Sequence, residues 1–250
     1  MARLTADGPA LVHLFDFAQL NSVRTLAYVE EWHRRYREAG LAVIGVQAPR
    51  FPFGAEPETV AAGLERLGVS FPTAIDADRE LWIAYGCEGW PSLFLWGRGG
   101  VLRWFHFGEG EYAATEEAIQ DELRPIDALA PRQQPIEPLR PTDAPGAIVV
   151  GPSPELFPVE GRAWTAAEDG EGFTVEYEAG GAAVTAEGKG ELALTLDGEP
   201  IDAAPISGAG LYELTEHPRH SRHRLAIDLA GEVGIWSVSF APGLPGNEGE

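Results

Sequence analysis

The stretch from Phe15 to Ser22, FDFAQLNS, carries an apolar strand pattern through a short polar turn into an amphipathic helix pattern. A helix start is where a cysteine pair does thiol–disulfide exchange, because the backbone dipole favours the thiolate and exchange proceeds through a mixed disulfide. At the two positions that would serve, this chain has the carboxamide of Gln19 and the hydroxyl of Ser22. An amide is not that nucleophile. A serine at a helix start with no base identified is expected to act as an N-cap. The only thiol is Cys87, so neither an intrachain disulfide nor a cysteine-rich metal site can form. Cys87 lies four residues before Pro91 and is the one candidate for thiol chemistry, either as a one-cysteine peroxidase cycling through sulfenic acid or in exchange with a partner's thiol. Both need a lowered pKa. No Lys or Arg adjoins Cys87 and Glu88 opposes its thiolate, so the expected state is an inert, partly buried cysteine.

Other constellations are weaker. His217, His220 and His223 in HPRHSRH have a spacing that could converge on a metal if helical. Pro218 and the flanking strand patterns instead predict a solvated hairpin loop in which Arg219, Arg222 and Arg224 would repel a cation, so no metal is expected. His106 stands near Glu109 and Glu111, where a strand end and turn explain the pattern without catalysis. Lys189 is the only lysine, which confines Schiff-base chemistry to that position. No phosphate-binding glycine loop, nucleophile elbow or zinc-protease motif occurs, and no cofactor is expected.

The elements that must position these residues alternate in the first half. Residues 10 to 15 read as a buried strand. Residues 23 to 40 form a helix pattern with Val23, Leu26, Ala27, Val29, Tyr36 and Ala39 near one stripe and Gly40 as its stop, and residues 41 to 47 are a second buried strand. That is a βαβ unit. A helix over 56 to 68, a short strand over 71 to 76, a helix over 78 to 86, a hairpin over 91 to 108 turning at Gly97 to Gly100, and a helix over 114 to 124 complete a mixed sheet with helices on its faces. Nine prolines between Arg124 and Pro158 predict a semi-extended linker. Beyond it, short alternating runs separated by Gly, Asp and Pro predict seven or eight strands in a β-sandwich of jelly-roll type. The expected organisation is an α/β domain over 1–124, a linker over 125–158, a sandwich over 159–243 and a C-terminal tail over 244–250.

The segments VHLFDFAQLNSVRTLAYV, LAVIGVQAPRFPF, LWIAYGCEGWPSLFLW and FHFGEGEYAATEEAIQ resemble, in order, the thioredoxin-like redoxin family of TlpA and DipZ type, within the AhpC/TSA-like superfamily. The resemblance covers residues 10 to 123. The second half, notably GLYEL at 210 to 214, resembles the carbohydrate-binding-module-like sandwich of DipZ-type proteins. The resemblance implies a thioredoxin-like α/β fold followed by an all-β sandwich, a cis peptide bond at Trp90-Pro91, and a C-x-x-C motif that has become Gln19-Leu20-Asn21-Ser22, with both cysteines replaced. It also implies that Asn21, Trp90 and Pro91 line a groove beside the active-site helix, where an extended polypeptide could pair by strand addition. The first expectation for function is therefore a non-catalytic binding or scaffold protein. The alternatives are an oxidoreductase using Cys87 and a glycan binder using Trp164 or Trp236 on the sandwich, where tryptophan is more often core.

Composition bounds the partners. A formal charge of -21 excludes nucleic acid and anionic lipid surfaces as binding partners, since both would be repelled. No run of apolar residues is long enough to span a bilayer and the first residues show no leader pattern, which gives the expectation of a cytoplasmic protein without membrane insertion.

Overall fold

The computed structural model describes residues 4–124 and 134–246, which fall into two compact units, Met1–Leu139 and Arg140–Glu250. Unit 1 is built on a five-stranded sheet of β1 (Ala10–Phe15), β2 (Ala42–Gln47), β3 (Thr73–Ile75), β4 (Ser92–Gly97) and β5 (Val101–Phe107), in the order β3-β2-β1-β4-β5. The first three strands run parallel, and β4 and β5 are antiparallel to their neighbours. Every residue of β1 is buried, as a central strand covered on both faces requires. Helices α1 (Leu20–Tyr36), α2 (Pro57–Arg66), α3 (Glu80–Ala84) and α4 (Tyr112–Leu123) join the strands, with a short 3₁₀ turn at Pro52–Ala55 that the sequence did not announce. This is the thioredoxin-like arrangement expected.

Helix α1 starts three residues earlier than its apolar period suggests and buries Leu20, Leu26, Tyr28, Val29, Trp32 and Tyr36. Ala27, expected on the stripe, is exposed, and the fully buried Trp32 takes the place of the helix's centre of gravity. Tyr28 stacks on Tyr112 of α4 at 3.7 Å, and Tyr36 donates to the buried Glu116 of α4 at 2.6 Å, so α1 and α4 pack together. A smaller cluster under α3 joins Val12, Leu14, Val46, Cys87 and Phe94 to Trp82, Tyr85, Trp96 and Phe107. Gly63 allows α2 to approach the core: a Cβ there would stand 2.6 Å from the Phe17 ring. Helical glycine costs backbone entropy, and the close approach explains its use.

Unit 2 is all β, with a four-stranded sheet in the order β6-β9-β7-β8. Its strands are β6 (Trp164–Thr165), β7 (Gly172–Leu196), β8 (Glu199–Ser207) and β9 (Gly210–Ala241), with α5 (Ala166–Asp169) after β6. In place of the seven or eight separate strands expected there are four, two of them, β7 and β9, very long and bent. Leu225 of β9 pairs with both Val175 and Leu196 of β7, while Val184 of β7 pairs with both Tyr212 and Val238 of β9. Each long strand therefore serves two neighbours, and irregular pairing from Ala179 to Ala186 bends the sheet around one core of Val175, Tyr177, Leu192, Leu225, Ile235 and their neighbours. Tyr177 stacks on Phe240 at 4.8 Å across that core.

The proline-rich segment, expected as a semi-extended linker over 125–158, makes hydrogen bonds to each unit in its described part. Residues 125–133 lie outside the described residues. After them, Gln134 O accepts from Arg35, Ile136 N–H donates to Glu116 and Leu139 N–H donates to Tyr28, all within unit 1. In unit 2, Val150 and Leu156 form bridges to Gly243 and Val238, and Ser153 bonds Glu178. Prolines that lack a donor leave the intervening residues to make these bonds. The tail expected from residue 244 is likewise held at its start, by His220 N–H to Leu244 O and Arg219 to Pro245 O, and residues 247–250 lie outside the described residues.

Candidate functional site at the start of helix α1

The C-terminal ends of β1 and β2 and the start of β4 meet beside the first turn of α1, because Leu14 pairs with Val46 on β2 and with Ser92 on β4. Gln19 itself is the N-cap: its Oε1 accepts from Ser22 N–H at 2.7 Å. This corrects the expectation for Ser22. Serine is the stronger cap by general preference, but here it stands inside the first turn, fully buried, with its Oγ accepting from Asp16 N–H at 3.2 Å. Both positions that would carry thiols are thus engaged in holding the turn.

Asp16, flanked by Phe15 and Phe17, organises the site and had no role assigned from sequence; a carboxylate interrupting an apolar run was the available signal. It is 1% exposed, and its carboxyl accepts from Ala18 N–H at 3.0 Å, Arg50 N–H at 2.8 Å and Gln47 Nε2 at 3.2 Å. Burial pushes its pKa up, and these donors pull against that shift. Gln47 is itself fixed, since its Oε1 accepts from Phe17 N–H at 2.9 Å.

Trp90 and Pro91 stand on the other side, joined by a cis peptide bond. The Trp90 indole donates to Ala48 O at 2.8 Å and stacks on Trp82 at 4.9 Å. The Arg50 guanidinium lies 5.3 Å from the Phe51 ring centre and 5.9 Å from that of Trp90. Trp90, Arg50, Asp16, Ser22 and Gln19 therefore form one continuous set of contacts. Asn21 follows on the first turn of α1, half-buried. Pro91 O accepts from Gly108 N–H at 2.7 Å, and among the described residues the backbone N–H and C=O of Trp90 make no backbone hydrogen bond. The turn after β5 is pinned to α1 by Arg24 and Glu109, paired at 2.5 Å, which gives the GEGEY segment a structural part.

Cys87 belongs to the apolar cluster under α3 and is 6% exposed. Burial pushes its thiol up, the Ser92 hydroxyl pulls it down, and the Asp76 carboxylate adds to the rise. A thiol in that setting is a poor nucleophile. On unit 2, Trp164 donates to Gly170 O and packs on Phe173, while Trp236 donates to Glu187; both are partly buried.

The HPRHSRH segment is not the solvated hairpin loop expected. It lies within β9, and the register folds His217 and His223 onto each other at 3.7 Å while His220 stands apart. Among the described residues, no group of three His, Cys, Asp or Glu side chains is arranged to hold a metal ion.

No family model matches the chain. It is 28% identical over 273 residues to protein DipZ of Mycobacterium tuberculosis and of Mycobacterium bovis, covering 93% of this chain and 38% of DipZ. It is 30% identical over 99 residues to the thiol-disulfide oxidoreductase ResA of Halalkalibacterium halodurans, covering 39% of this chain and 51% of ResA. Similar solved structures include a thiol-disulfide isomerase from Corynebacterium glutamicum, at 23% identity and TM-score 0.43, covering 48% of this chain and 84% of that one. Another is a secreted Mycobacterium tuberculosis disulfide oxidoreductase homologous to E. coli DsbE, at 12% identity and TM-score 0.40, covering 47% and 84%. The expected cytoplasmic placement is corrected: the chain spans 38% of the length of DipZ, so its first residues carry no information on compartment. Among the described residues no helix is long and apolar enough to cross a membrane.

Proposed function

We propose that this thioredoxin-like chain, a relative of DipZ and of the thiol-disulfide oxidoreductase ResA with a single cysteine of its own, binds an extended polypeptide at the start of α1 without exchanging disulfides. The observation that carries the reading is the state of the three positions where sulfur chemistry could occur. The Gln19 carboxamide caps α1, the Ser22 hydroxyl is buried against Asp16 N–H, and the only thiol is Cys87, buried and raised in pKa. An exchange cycle needs an attacking and a resolving thiol, and neither position supplies one.

What remains is a binding surface. The backbone of Trp90, without a backbone partner among the described residues, offers a donor and an acceptor for strand addition, and the Trp90 ring with Arg50 supplies an apolar face and a cation beside it. Two measurements test the proposal. Insulin reduction by dithiothreitol, followed by turbidity, should run at the uncatalysed rate with wild type and with Cys87→Ser; turnover above background in either defeats the non-catalytic reading. A fluorescein-labelled, carboxymethylated insulin B chain should bind in an anisotropy titration and lose affinity on Trp90→Ala. No binding by wild type, or equal binding by the variant, defeats the groove.

A further inference from the structure

We propose that unit 2 carries a second and separate site, a serine nucleophile at Ser221 activated by His223 and oriented by Asp197, which hydrolyses small activated carboxylic esters. Ser221 Oγ stands 2.8 Å from His223 Nε2, and His223 Nδ1 stands 2.7 Å from Asp197 Oδ2. Nucleophile to base and base to orienting carboxylate are thus both within hydrogen-bond reach, the geometry that recurs on unrelated folds and is recognised by roles rather than by sequence order. With Nδ1–H donating to the carboxylate, Nε2 is left as an acceptor for the serine proton.

The imidazole is held from further directions. His217 stacks on it at 3.7 Å, and Tyr177 lies 5.8 Å away. Tyr177, 2% exposed, fixes His217 in turn through a 2.8 Å bond between its hydroxyl and His217 Nε2. Asp197 is anchored independently: its Oδ1 accepts from Arg224 N–H at 2.8 Å, which ties the β7 to β8 turn to β9 and leaves Oδ2 for His223. A role confined to tethering that turn needs only Oδ1. Ser221 is exposed, so a substrate reaches it, and its hydroxyl has a competing acceptor in Arg219 O at 3.2 Å, longer than the distance to Nε2.

The chemistry balances with water as the only co-reactant. Ser221 Oγ attacks the ester carbonyl carbon as its proton passes to His223 Nε2. The bond to the alcohol oxygen then breaks and that oxygen leaves with the proton. Water adds to the acyl-serine, giving its proton to Nε2, and the acyl–Oγ bond breaks as the proton returns to Ser221, releasing the acid. His223 and Ser221 are the catalytic residues and Asp197 is a positioning residue. An exposed site leaves the developing oxyanion to solvent, so activated aryl esters are the class it takes.

The test uses the full chain and 4-nitrophenyl acetate, with a fluorophosphonate as covalent probe. Wild type should hydrolyse the ester and take the probe on the peptide containing Ser221. Ser221→Ala, an exposed position whose thermal transition should be unchanged, should lose roughly 10²-fold or more of the rate, as expected for a positioned base with its nucleophile removed. Asp197→Asn should slow probe attachment at Ser221, because an amide does not hold the Nδ1–H tautomer of His223 as the carboxylate does, and Asp197→Glu should restore part of the rate. Hydrolysis by Ser221→Ala at the wild-type rate, probe attachment at another residue, or no attachment at all overturns the proposal.

Discussion

Restoring the cysteine pair, with Gln19→Cys and Ser22→Cys together, tests the reading of the first turn of α1 in energy as well as chemistry. Two bonds are lost. The cap from Gln19 Oε1 to Ser22 N–H is of a kind worth about 0.5–2 kcal/mol. Removing the Ser22 acceptor leaves the buried Asp16 N–H unpaired, at about 1–3 kcal/mol. The reduced double variant should therefore be less stable than wild type by roughly 1.5–5 kcal/mol in total. Closing the four-residue loop returns, by loop entropy, about 2 kcal/mol if its Cα atoms can meet the usual disulfide separation. Oxidation should raise the melting temperature of unit 1 by roughly 4–8 °C, taking the shift expected per kcal/mol near this size. Calorimetry on oxidised and reduced protein, with thiol titration to count free cysteines, measures both steps. A variant that stays reduced in mild oxidant, or whose oxidised and reduced forms melt together, refutes the placement of residues 19 and 22 as a matched pair at the helix start.

Three further outcomes follow from the core. His13 is fully buried with neither ring nitrogen partnered, and burial lowers its pKa to about 3. The folded state then binds fewer protons than the unfolded one between pH 6.5 and about 3, so this residue's contribution is lost as pH falls through that window; His13→Leu should flatten the acid limb of stability measured by urea titration, and an unchanged limb counts against it. The Tyr36 hydroxyl is pushed up to about 12 by burial and by its bond to Glu116, so stability should fall as pH rises from 10 towards 12, and Tyr36→Phe should make that decline shallower. Gly63→Ala sets a methyl 2.6 Å from the Phe17 ring and should cost about 1–3 kcal/mol in denaturant unfolding; an unchanged midpoint counts against the close approach.

The strands of unit 1 were legible because buried runs bounded by turn residues admit few other readings: the apolar stretch ALVHLF is β1 to the residue. The start of α1 was misplaced because serine outranks glutamine as a cap in general, whereas the reach of the longer Gln19 side chain back to Ser22 N–H is a property of the folded turn. The cis bond at Trp90-Pro91 could be named in advance, but the Asp16–Gln47–Arg50 network depends on bringing the ends of β1 and β2 side by side, which no local pattern encodes. In unit 2, glycines and prolines mark bends as well as turns, so alternation fixed the class and not the number of strands. The stacking of His217 on His223 escaped for a related reason: Pro218 suggests a loop, and the contact arises only where residues 217–220 bulge out of the pairing between Glu216 and Ser221.

The double service of β7 and β9 has a consequence for the order of events during synthesis. Residues 182–186 in the middle of β7 are sheltered on one side by 210–215 and on the other by 235–240, and 172–179 wait for 221–228. When the ribosome has completed β7, only its own later half has a partner soon to come, in β8. The remaining 45 residues to Ala241, the interval from Leu196, take roughly 2–9 s at ordinary elongation rates of about 5–20 residues per second. For that interval a 25-residue segment with Val175, Tyr177 and Val184 on it is exposed and unpaired on at least one edge. Long-range pairing of this sort also folds slowly once the chain is complete. Yield of this protein should therefore depend on how nascent chains are sheltered, and pieces that stop short of β9 should collect as aggregates.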